Sequence, residues 1–247
     1  MDELSAFLYF FIGLAVIFGG ILRGISGFGF SLTLIVALTF FLPPLQATAL
    51  IFIWEISASI LHLPFVWKHV DWNALKWLCA GCVLGTPLGV YSLILIPPTP
   101  MTVLINATVI VLSIVMLRGY TLKRNLNAFE IIGTGTISGI INGASANGGP
   151  PVILLFFSSP AGANVGRASL IAYFLFTDCF ASSVLAAQGL MGVEILITAL
   201  CCIPCLALGI WIGTKLYHKI DEQNFKRFVM ILLIVISAGG CVKALLS

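Results

Sequence analysis

Residues 141–151 read Ile-Asn-Gly-Ala-Ser-Ala-Asn-Gly-Gly-Pro-Pro and interrupt an apolar segment, with EIIGTGTISGI before them and VILLFF after them. Two adjacent glycines and two adjacent prolines remove stiffness and backbone hydrogen bonds from a helix. One continuous helix is therefore not expected here. The stretch predicts a helix that ends and a second helix that begins inside a single apolar segment.

The composition is that of a protein embedded in lipid. Of 247 residues, 60% are hydrophobic and 9% are charged, whereas a soluble domain carries about 25% charged residues. Uncharged apolar runs reach the roughly 18 residues that indicate a membrane span. The chain starts with the acidic residues Asp2 and Glu3, which is not the basic start of a cleavable signal peptide. We therefore predict an all-α integral membrane protein, multi-pass, in the inner or plasma membrane of the cell.

Hydropathy divides the chain into eight apolar blocks, so a count of seven to eight spans is expected. Their approximate limits are 4–41, 44–66, 74–96, 101–118, 128–158, 168–188, 194–214 and 226–246. The first and fifth blocks exceed the ~20 residues of one span, and both contain a glycine- and serine-rich break. The first break reads RGISGFGFS at 23–31, and the second is the stretch at 141–151.

The two breaks are related by a repeat. Three residues of the first break recur 119 residues later, where Gly24, Ser26 and Gly29 correspond to Gly143, Ser145 and Gly148. The sequence GTPLG at 85–89 is followed 124 residues later by GIWIG at 209–213, with the same glycine spacing. We therefore predict two halves, residues 1–118 and 128–247, joined by a linker at 119–127. Each half consists of a broken helical hairpin and three transmembrane helices.

The basic residues outside the breaks decide between two topologies, because cytoplasmic loops carry an excess of Lys and Arg. If every block crossed the membrane once, the eleven basic residues would divide six against five. If the first and fifth blocks are hairpins that return to the side they entered, with the N-terminus outside, ten of the eleven face the cytoplasm and only Lys243 faces out. We favour this second topology. It makes the halves inverted repeats, as in many transporters, and the linker cytoplasmic.

The breaks are the predicted substrate site. Irregular backbone at membrane depth persists only where protein or water covers it, and matching breaks in two halves indicate a substrate site. A helix that begins there presents free N–H groups and a partial positive charge, which favour an anion. The candidate substrate-binding residues are Arg23, Gly24, Ser26, Gly27, Gly29 and Ser31 in the first break, and Asn142, Ser145, Asn147, Gly148 and Gly149 in the second. The alternative is that these are packing residues at a kink with no ligand.

Two carboxyl side chains lie inside apolar blocks, and an ionisable residue within the membrane is a candidate functional site. Glu55 lies in the first span after the first break, and Asp178 lies in the first span after the second. Both are candidate proton carriers in coupled transport; the alternative is a structural hydrogen bond to a neighbouring helix. Arg23 is a candidate partner of an anionic substrate or of Glu55, and its alternative is a snorkelling residue at a bend.

The stretches GISGFGFSL at 24–32 and NGASANGGPP at 142–151, together with the layout of two times four apolar blocks, resemble the sulfite exporter TauE/SafE family of membrane transporters. The resemblance covers nearly the whole chain. It implies export of small sulfur-containing anions, such as sulfite or sulfonates, across the inner membrane.

Other classes of function lack the residues they need. The sequence contains no GxSxG, HExxH or phosphate-binding loop motif, so we expect no enzyme activity, no cofactor and no metal site. His62 and His69 have no metal-like spacing, and Arg167 indicates a cytoplasmic interface. The expected partners are a small anion and the lipid bilayer; a homodimer is a further candidate, and nucleic acid is excluded. We predict a secondary transporter of a small sulfur-containing or other anion, coupled to protons. A passive anion channel and a non-transporting scaffold are the alternatives.

Single cysteines placed in 119–127 and in 215–224 test the topology, in a background that lacks the seven native cysteines. Both segments are predicted to be cytoplasmic, so an impermeant maleimide should label both from the same side of sealed vesicles. A cysteine in 188–193, on the predicted outer side, is the opposite control. Labelling of 119–127 and 215–224 from different sides would contradict the hairpin topology.

Overall fold

The computed structural model describes residues 3–118, 127–157, 163–217 and 222–246, and within these ranges the chain is helical with no β-strand. The helices are α1 (Glu3–Ser26), α2 (Phe30–Leu38), α3 (Pro44–Val66), α4 (Trp72–Leu95), α5 (Pro98–Leu117), α6 (Ala128–Ser145), α7 (Gly149–Phe157), α8 (Ala163–Ala187), α9 (Val193–Tyr217) and α10 (Glu222–Leu246). A 3-10 turn, Trp67–His69, joins α3 to α4. The predicted linker at 119–127 lies outside the described residues except for Asn127.

Seven stretches of the described residues are long and apolar enough to cross a membrane, which confirms the all-α, multi-pass fold class. They are Phe7–Ile25, Pro44–His69, Trp72–Leu95, Pro98–Leu117, Val165–Ala187, Val193–Leu216 and Arg227–Leu246. Helices α2, α6 and α7 are outside this set. All three lie next to a break, so the helices that fall short of a candidate span are found at the two breaks.

Local sequence sets the helix ends. Asp71 caps α4 by accepting hydrogen bonds from the N–H groups of Asn73 and Ala74, at 3.1 and 3.0 Å. Asn127 and Glu130 form a reciprocal capping box at the start of α6, which satisfies donors that a helix N-terminus otherwise leaves free. Helices α3 and α5 begin with proline, whose missing N–H costs nothing in the first turn.

The first break turns the chain back on itself. Gly27 and Gly29 have φ angles of 78° and 89°, in a region that glycine enters without strain. The ring of Phe41, which follows α2, lies 4.6 Å from the ring of Phe11 in α1, centroid to centroid. Helices α1 and α2 therefore run side by side in opposite directions, as a helical hairpin.

The second break is closed by hydrogen bonds from α6. The N–H of Gly148 donates to Oδ1 of Asn142 at 3.1 Å, and the hydroxyl of Ser138 donates to the carbonyl of Gly148. Ala146 ends α6 with a left-handed φ of 56°. Because Gly148 lies beside a residue ten positions earlier in the chain, the chain leaves the break alongside α6 and does not extend it.

Two glycine seams hold the long helices together. In the seam between α4 and α6, a Cβ on Gly85 would overlap the carbonyl oxygen of Thr136. In the seam between α1 and α9, a Cβ on Gly24 would lie 2.6 Å from the carbonyl oxygen of Ile210. Small residues at such positions let helix backbones approach closely in a membrane. The seam glycines are Gly81, Gly85 and Gly89 with Gly135, Gly139 and Gly143, and Gly20 and Gly24 with Gly209 and Gly213.

Contacts along the seams also give the helix directions. Gly81 faces Ile132 and Gly89 faces Ile140, so α4 and α6 run parallel. Helices α1 and α9 run parallel as well, because successive glycines of one helix meet successive glycines of the other. Each seam therefore joins the first helix of one predicted half to the middle span of the other half.

Helices α5 and α10 pack against each other in opposite directions. The Sγ of Cys241 lies 3.9 Å from the carbonyl oxygen of Val103, and a Cβ on Gly240 would lie 2.8 Å from Oδ1 of Asn106. Position numbers therefore rise along one helix as they fall along the other. These directions are compatible with inverted repeats, which stay a prediction.

Lys243 is the one basic residue that the favoured topology places on the outer side, and it has protein contacts there. Its ammonium group donates to the carbonyl of Phe40 at 2.7 Å and lies 5.3 and 5.6 Å from the ring centroids of Phe40 and Phe41. A lysine whose charge is held by a carbonyl and two aromatic faces contributes to packing. These contacts hold Lys243 at this end of α10, independently of how the basic residues are distributed among the loops.

The outside of the bundle is apolar. On α4, for example, Leu84, Leu88 and Leu95 are 64%, 61% and 76% exposed. Soluble monomers rarely expose apolar patches larger than a few hundred Å², whereas a membrane protein presents such a surface to lipid tails. The exposed leucines are therefore the lipid-facing side of the helix whose glycines face α6.

Replacing Gly85 with Ala should destabilise the fold, because the added methyl group would overlap the Thr136 carbonyl. Overpacking of this kind costs about 1–3 kcal/mol, measurable as a lower melting temperature in detergent. Gly133→Ala is the matched control on α6, since a Cβ there meets nothing within 4 Å. Equal stability of the two variants would contradict the seam.

Candidate functional site

A buried ion pair links α1 to α3. The guanidinium of Arg23 donates to a carboxylate oxygen of Glu55 and, through Nη2, to the hydroxyl of Ser59 at 3.0 Å. Arg23 is 1% exposed and Glu55 is 4% exposed. Charges this deeply buried are tolerated only when they are paired and hydrogen-bonded. Of the partners considered for Arg23 from the sequence, the structure supplies Glu55.

A matching contact joins α6 to α8 without the positive charge. Nδ2 of Asn142 donates to Oδ1 of Asp178 at 2.8 Å and lies 3.3 Å from the hydroxyl of Thr177. Asn142 stands 119 residues after Arg23, at the equivalent position of the predicted repeat. The second carboxyl oxygen of Asp178, Oδ2, is buried without a hydrogen-bond partner. Each half therefore brings a carboxyl group from the span after its break to a polar residue of the helix before it.

Helix α8 connects the two hairpins in the interior. The ring centroid of Phe174 lies 5.8 Å from the guanidinium carbon of Arg23, and a Cβ on Gly149 would lie 3.0 Å from the same ring. The hydroxyl of Tyr173 donates to Ser138 at 2.8 Å, and Ser138 in turn holds the second break. One turn of α8 therefore contacts residues of both breaks.

A cavity of about 480 Å³ reaches the first break from one end of the bundle. Small-molecule sites have volumes of roughly 300–1,000 Å³, so this one is large enough for a small ligand. Arg23 and Gly27 of the first break line it, together with His62, His69 and Arg167. The cavity ends on the hairpin that the sequence marks as a binding element.

The polar lining of this cavity is basic. Among the described residues that line it there are two arginines and two histidines and no Asp or Glu. A Cβ on Gly27 would lie 2.9 Å from Nε of Arg167, so the Arg167 side chain lies directly over the break. The charge of Arg23 is balanced by Glu55, so Arg167 supplies the positive charge of the lining, and a positive charge in a concave surface attracts small anions. The geometry suits a small anion.

The sequence reasoning missed His62, His69 and Arg167 as cavity residues. The histidines carry no helical-spacing signal, since His62 lies in α3 and His69 lies in the 3-10 turn that follows it. For Arg167, the sequence predicts a position at the cytoplasmic interface of the membrane. Its position over Gly27 carries no local signal, because the two residues lie in different halves and are brought together by the packing of α8 against α3.

The other predicted residues have varied surroundings. Gly24 packs against α9 in a seam, and the hydroxyl of Ser145 donates to the backbone of its own helix at 2.9 Å. Gly29 is the N-cap of α2, and Ser31 is half-buried in the first turn of that helix. The side chain of Ser26 lies outside the described part of the chain. A binding role for these residues stays a prediction.

Asn147 is the polar residue of the second break that the packing does not explain. It is 0% exposed, and neither its Oδ1 nor its Nδ2 has a hydrogen-bond partner. Leaving a buried polar group unpaired costs about 1–3 kcal/mol. Most buried polar side chains in proteins are paired, so Asn147 is an exception among the described residues of the second break.

The two half-helices differ in what they offer an anion. No side chain caps α2, so the N–H groups of its first turn have no acceptor within the helix. In α7, two prolines without N–H groups follow Gly149, and the N–H of Gly148 is already donated to Asn142. The first break therefore offers more backbone donors, and the second depends more on the side chain of Asn147.

Comparisons with known proteins relate the chain to exporters of sulfur-containing anions. The sequence model described as "Sulfite exporter TauE/SafE" matches residues 12–239, a range that includes both breaks. A curated protein of Cupriavidus necator, described as a probable sulfite/organosulfonate exporter TauE, is 21% identical over 201 residues, which cover 80% of this chain and 78% of that protein. No solved structure matches the chain.

Replacing Glu55 with Leu should destabilise the protein strongly, because Arg23 would keep a buried charge without a partner. Breaking a buried ion pair in this way costs about 3–5 kcal/mol, seen as a lower yield and melting temperature in detergent. The double variant Arg23→Leu with Glu55→Leu should recover most of that loss, since no unpaired charge is left. A double variant as unstable as the single one would show that the lost charge pairing is not the cause.

Proposed function

The chain belongs to the sulfite exporter TauE/SafE family of membrane transporters, and we propose that it is a secondary transporter that exports sulfite or an organosulfonate, coupled to protons, across the inner or plasma membrane. The printed description of the Cupriavidus necator relative supports this substrate class. The observation that carries the proposal is the basic cavity that ends on the first break.

The chemistry of the cavity fits that substrate class. Sulfite and sulfonates place three oxygens around one sulfur and carry negative charge, so a guanidinium can donate two parallel hydrogen bonds to them. Arg167 lies over Gly27 at the break, and α2 begins three residues later with its positive end uncapped by any side chain. We propose that the anion binds between Arg167 and the start of α2, with His62 beside it.

The position of the cavity supports loading from the cytoplasm. It opens near the turn Trp67–His69 and near Thr214 in the last turns of α9. Lys68 and Lys215 belong to the same end of the bundle, and basic residues mark the cytoplasmic side. The structure then corresponds to an inward-open state of an exporter.

The second break supplies the complementary element. In this conformation Asn147 is buried and unpaired, and we propose that its amide contacts the anion in the state that opens to the other side. The buried carboxyl groups of Glu55 and Asp178 are the candidate proton carriers. A transporter of this kind needs no nucleotide, and the sequence holds no phosphate-binding loop.

Flux of radiolabelled sulfite and of a small alkylsulfonate into proteoliposomes tests the proposal. We expect saturable flux and accumulation against the anion gradient when a proton gradient is imposed. Flux that does not saturate and never exceeds equilibrium would identify a passive channel instead. Folded protein, verified by size-exclusion chromatography, that moves neither anion would refute the proposed transport.

Arg167→Gln should raise the KM for sulfite by about ten- to a hundredfold, because a hydrogen bond to a charged group is worth about 1.5–3 kcal/mol. Lys215→Gln is the matched control, since it removes a positive charge at the same end of the bundle from a residue that lies over the Trp211 ring at 3.7 Å. Equal effects of both variants would indicate a general field, and no effect of Arg167→Gln would remove this residue from the site.

A further inference from the structure

The two buried carboxyl groups have unequal charge balance. Glu55 is neutralised by Arg23, which donates to it directly. Asp178 has the neutral Asn142 in the equivalent place. Both halves therefore place a polar side chain beside a buried carboxyl group, and only in the first half is that side chain a cation.

Among the described ionisable groups that face Asp178, none is a cation without another partner. The ionisable groups that face it from the helices packed around it are Glu55 from α3, Arg23 from α1 and Cys82 from α4, with Cys179 next to it in α8. Arg23 is the only positive charge in that set, and it is committed to Glu55 and Ser59. A charged carboxylate buried in an apolar interior is costly unless a cation joins it.

From this asymmetry we infer that Asp178, and not Glu55, binds the monovalent cation that is coupled to transport, a proton or a sodium ion, through its unpaired Oδ2 atom. The inference rests on the proposed function and narrows it to one carboxyl group. Two observations point to a ligand here: Oδ2 of Asp178 is buried without a partner, and so are both polar atoms of Asn147 in the adjoining break. Glu55 has no buried oxygen without a partner, and Arg23 donates a hydrogen bond to it.

Asn142 is the positioning residue that connects the cation to the break. Its Nδ2 donates to Oδ1 of Asp178, and its Oδ1 accepts from the N–H of Gly148. Binding of a cation to the carboxyl group reduces the negative charge on Oδ1 and weakens the first of these hydrogen bonds. The side chain that holds the second break therefore senses whether Asp178 is occupied, and Asn147 lies next to Gly148 in that break.

The test separates exchange from gradient-driven accumulation in proteoliposomes. Wild-type protein is assayed for sulfite accumulation under a proton gradient, under a sodium gradient, and for exchange of labelled against unlabelled sulfite without either. Asp178→Asn should accumulate at least tenfold less sulfite than the wild-type protein under the gradient, while exchange of sulfite persists. Ser182→Ala, which removes another buried unpaired group one turn along α8, is the matched control and should keep both activities.

A labelling experiment and one further variant keep the test decisive. Dicyclohexylcarbodiimide, which modifies protonated carboxyl groups in apolar surroundings, should label Asp178 and not Glu55 in the wild-type protein. This labelling decides the matter if Asp178→Asn does not fold, and labelling of Glu55 alone would overturn the assignment. Glu55→Gln should lower the yield, because it leaves Arg23 unpaired, but the remaining folded protein should still respond to the gradient.

Each result counts for or against the assignment. Accumulation by Asp178→Asn at the wild-type level, or loss of the gradient response in Glu55→Gln alone, overturns it. Folded Asp178→Asn that neither exchanges nor accumulates would make Asp178 part of the anion site and also overturns it. A response to sodium alone supports the site and replaces the proton in the proposed function. Wild-type flux that ignores both gradients overturns the inference and leaves anion transport standing, whereas no flux at all refutes the proposed function itself.

Discussion

Inside a bilayer every backbone N–H and C=O must find a partner within the protein, because an unsatisfied group costs several kcal/mol. At the second break, neighbouring side chains meet this demand. There, Asn142 accepts a hydrogen bond from the N–H of Gly148, and Ser138 donates one to the carbonyl of Gly148. The hydroxyl of Tyr173 in α8 donates in turn to Ser138. The span after the second break, α8, is thereby tied to it, and Asp178 reaches the interior on that same span.

The same constraint explains why polar chemistry is concentrated at the breaks. A helix that stops in the interior requires polar side chains nearby, and these then become available to a solute. The halves solve the problem with different charges. Around α1 and α3 the arrangement is closed and neutral, since Arg23 and Glu55 complete each other. Around α6 and α8 it is open, since Asp178 and Asn147 retain atoms without partners. The two breaks therefore differ in the polar atoms that they leave without a partner.

Much of the fold and part of the site are predictable from the sequence. Glycines and prolines at 141–151 and the glycines at 24–29 identify the breaks because their effect on the backbone is local. Burial of Glu55 and Asp178 follows from their apolar neighbours in the chain. The partners of these carboxyl groups do not, since Arg23 and Glu55 are 32 positions apart and their contact depends on how α2 folds back. For the same reason the recurring glycine pairs at 85–89 and 209–213 indicate a repeat but do not show which helix each glycine faces.

The glycine seams also bear on how the molecule is made. Helix α1 has its close partner in α9, and α6 has its close partner in α4. As the chain leaves the ribosome, α1 enters the bilayer when most of the sequence is still untranslated, with a row of backbone carbonyls and glycines that only a much later segment covers. The N-terminal half must therefore wait, partly packed and exposed to lipid or to the insertion machinery, until synthesis is almost complete. A truncated first half would lack the partners of both glycine seams, since α1 packs on α9 and α4 packs on α6.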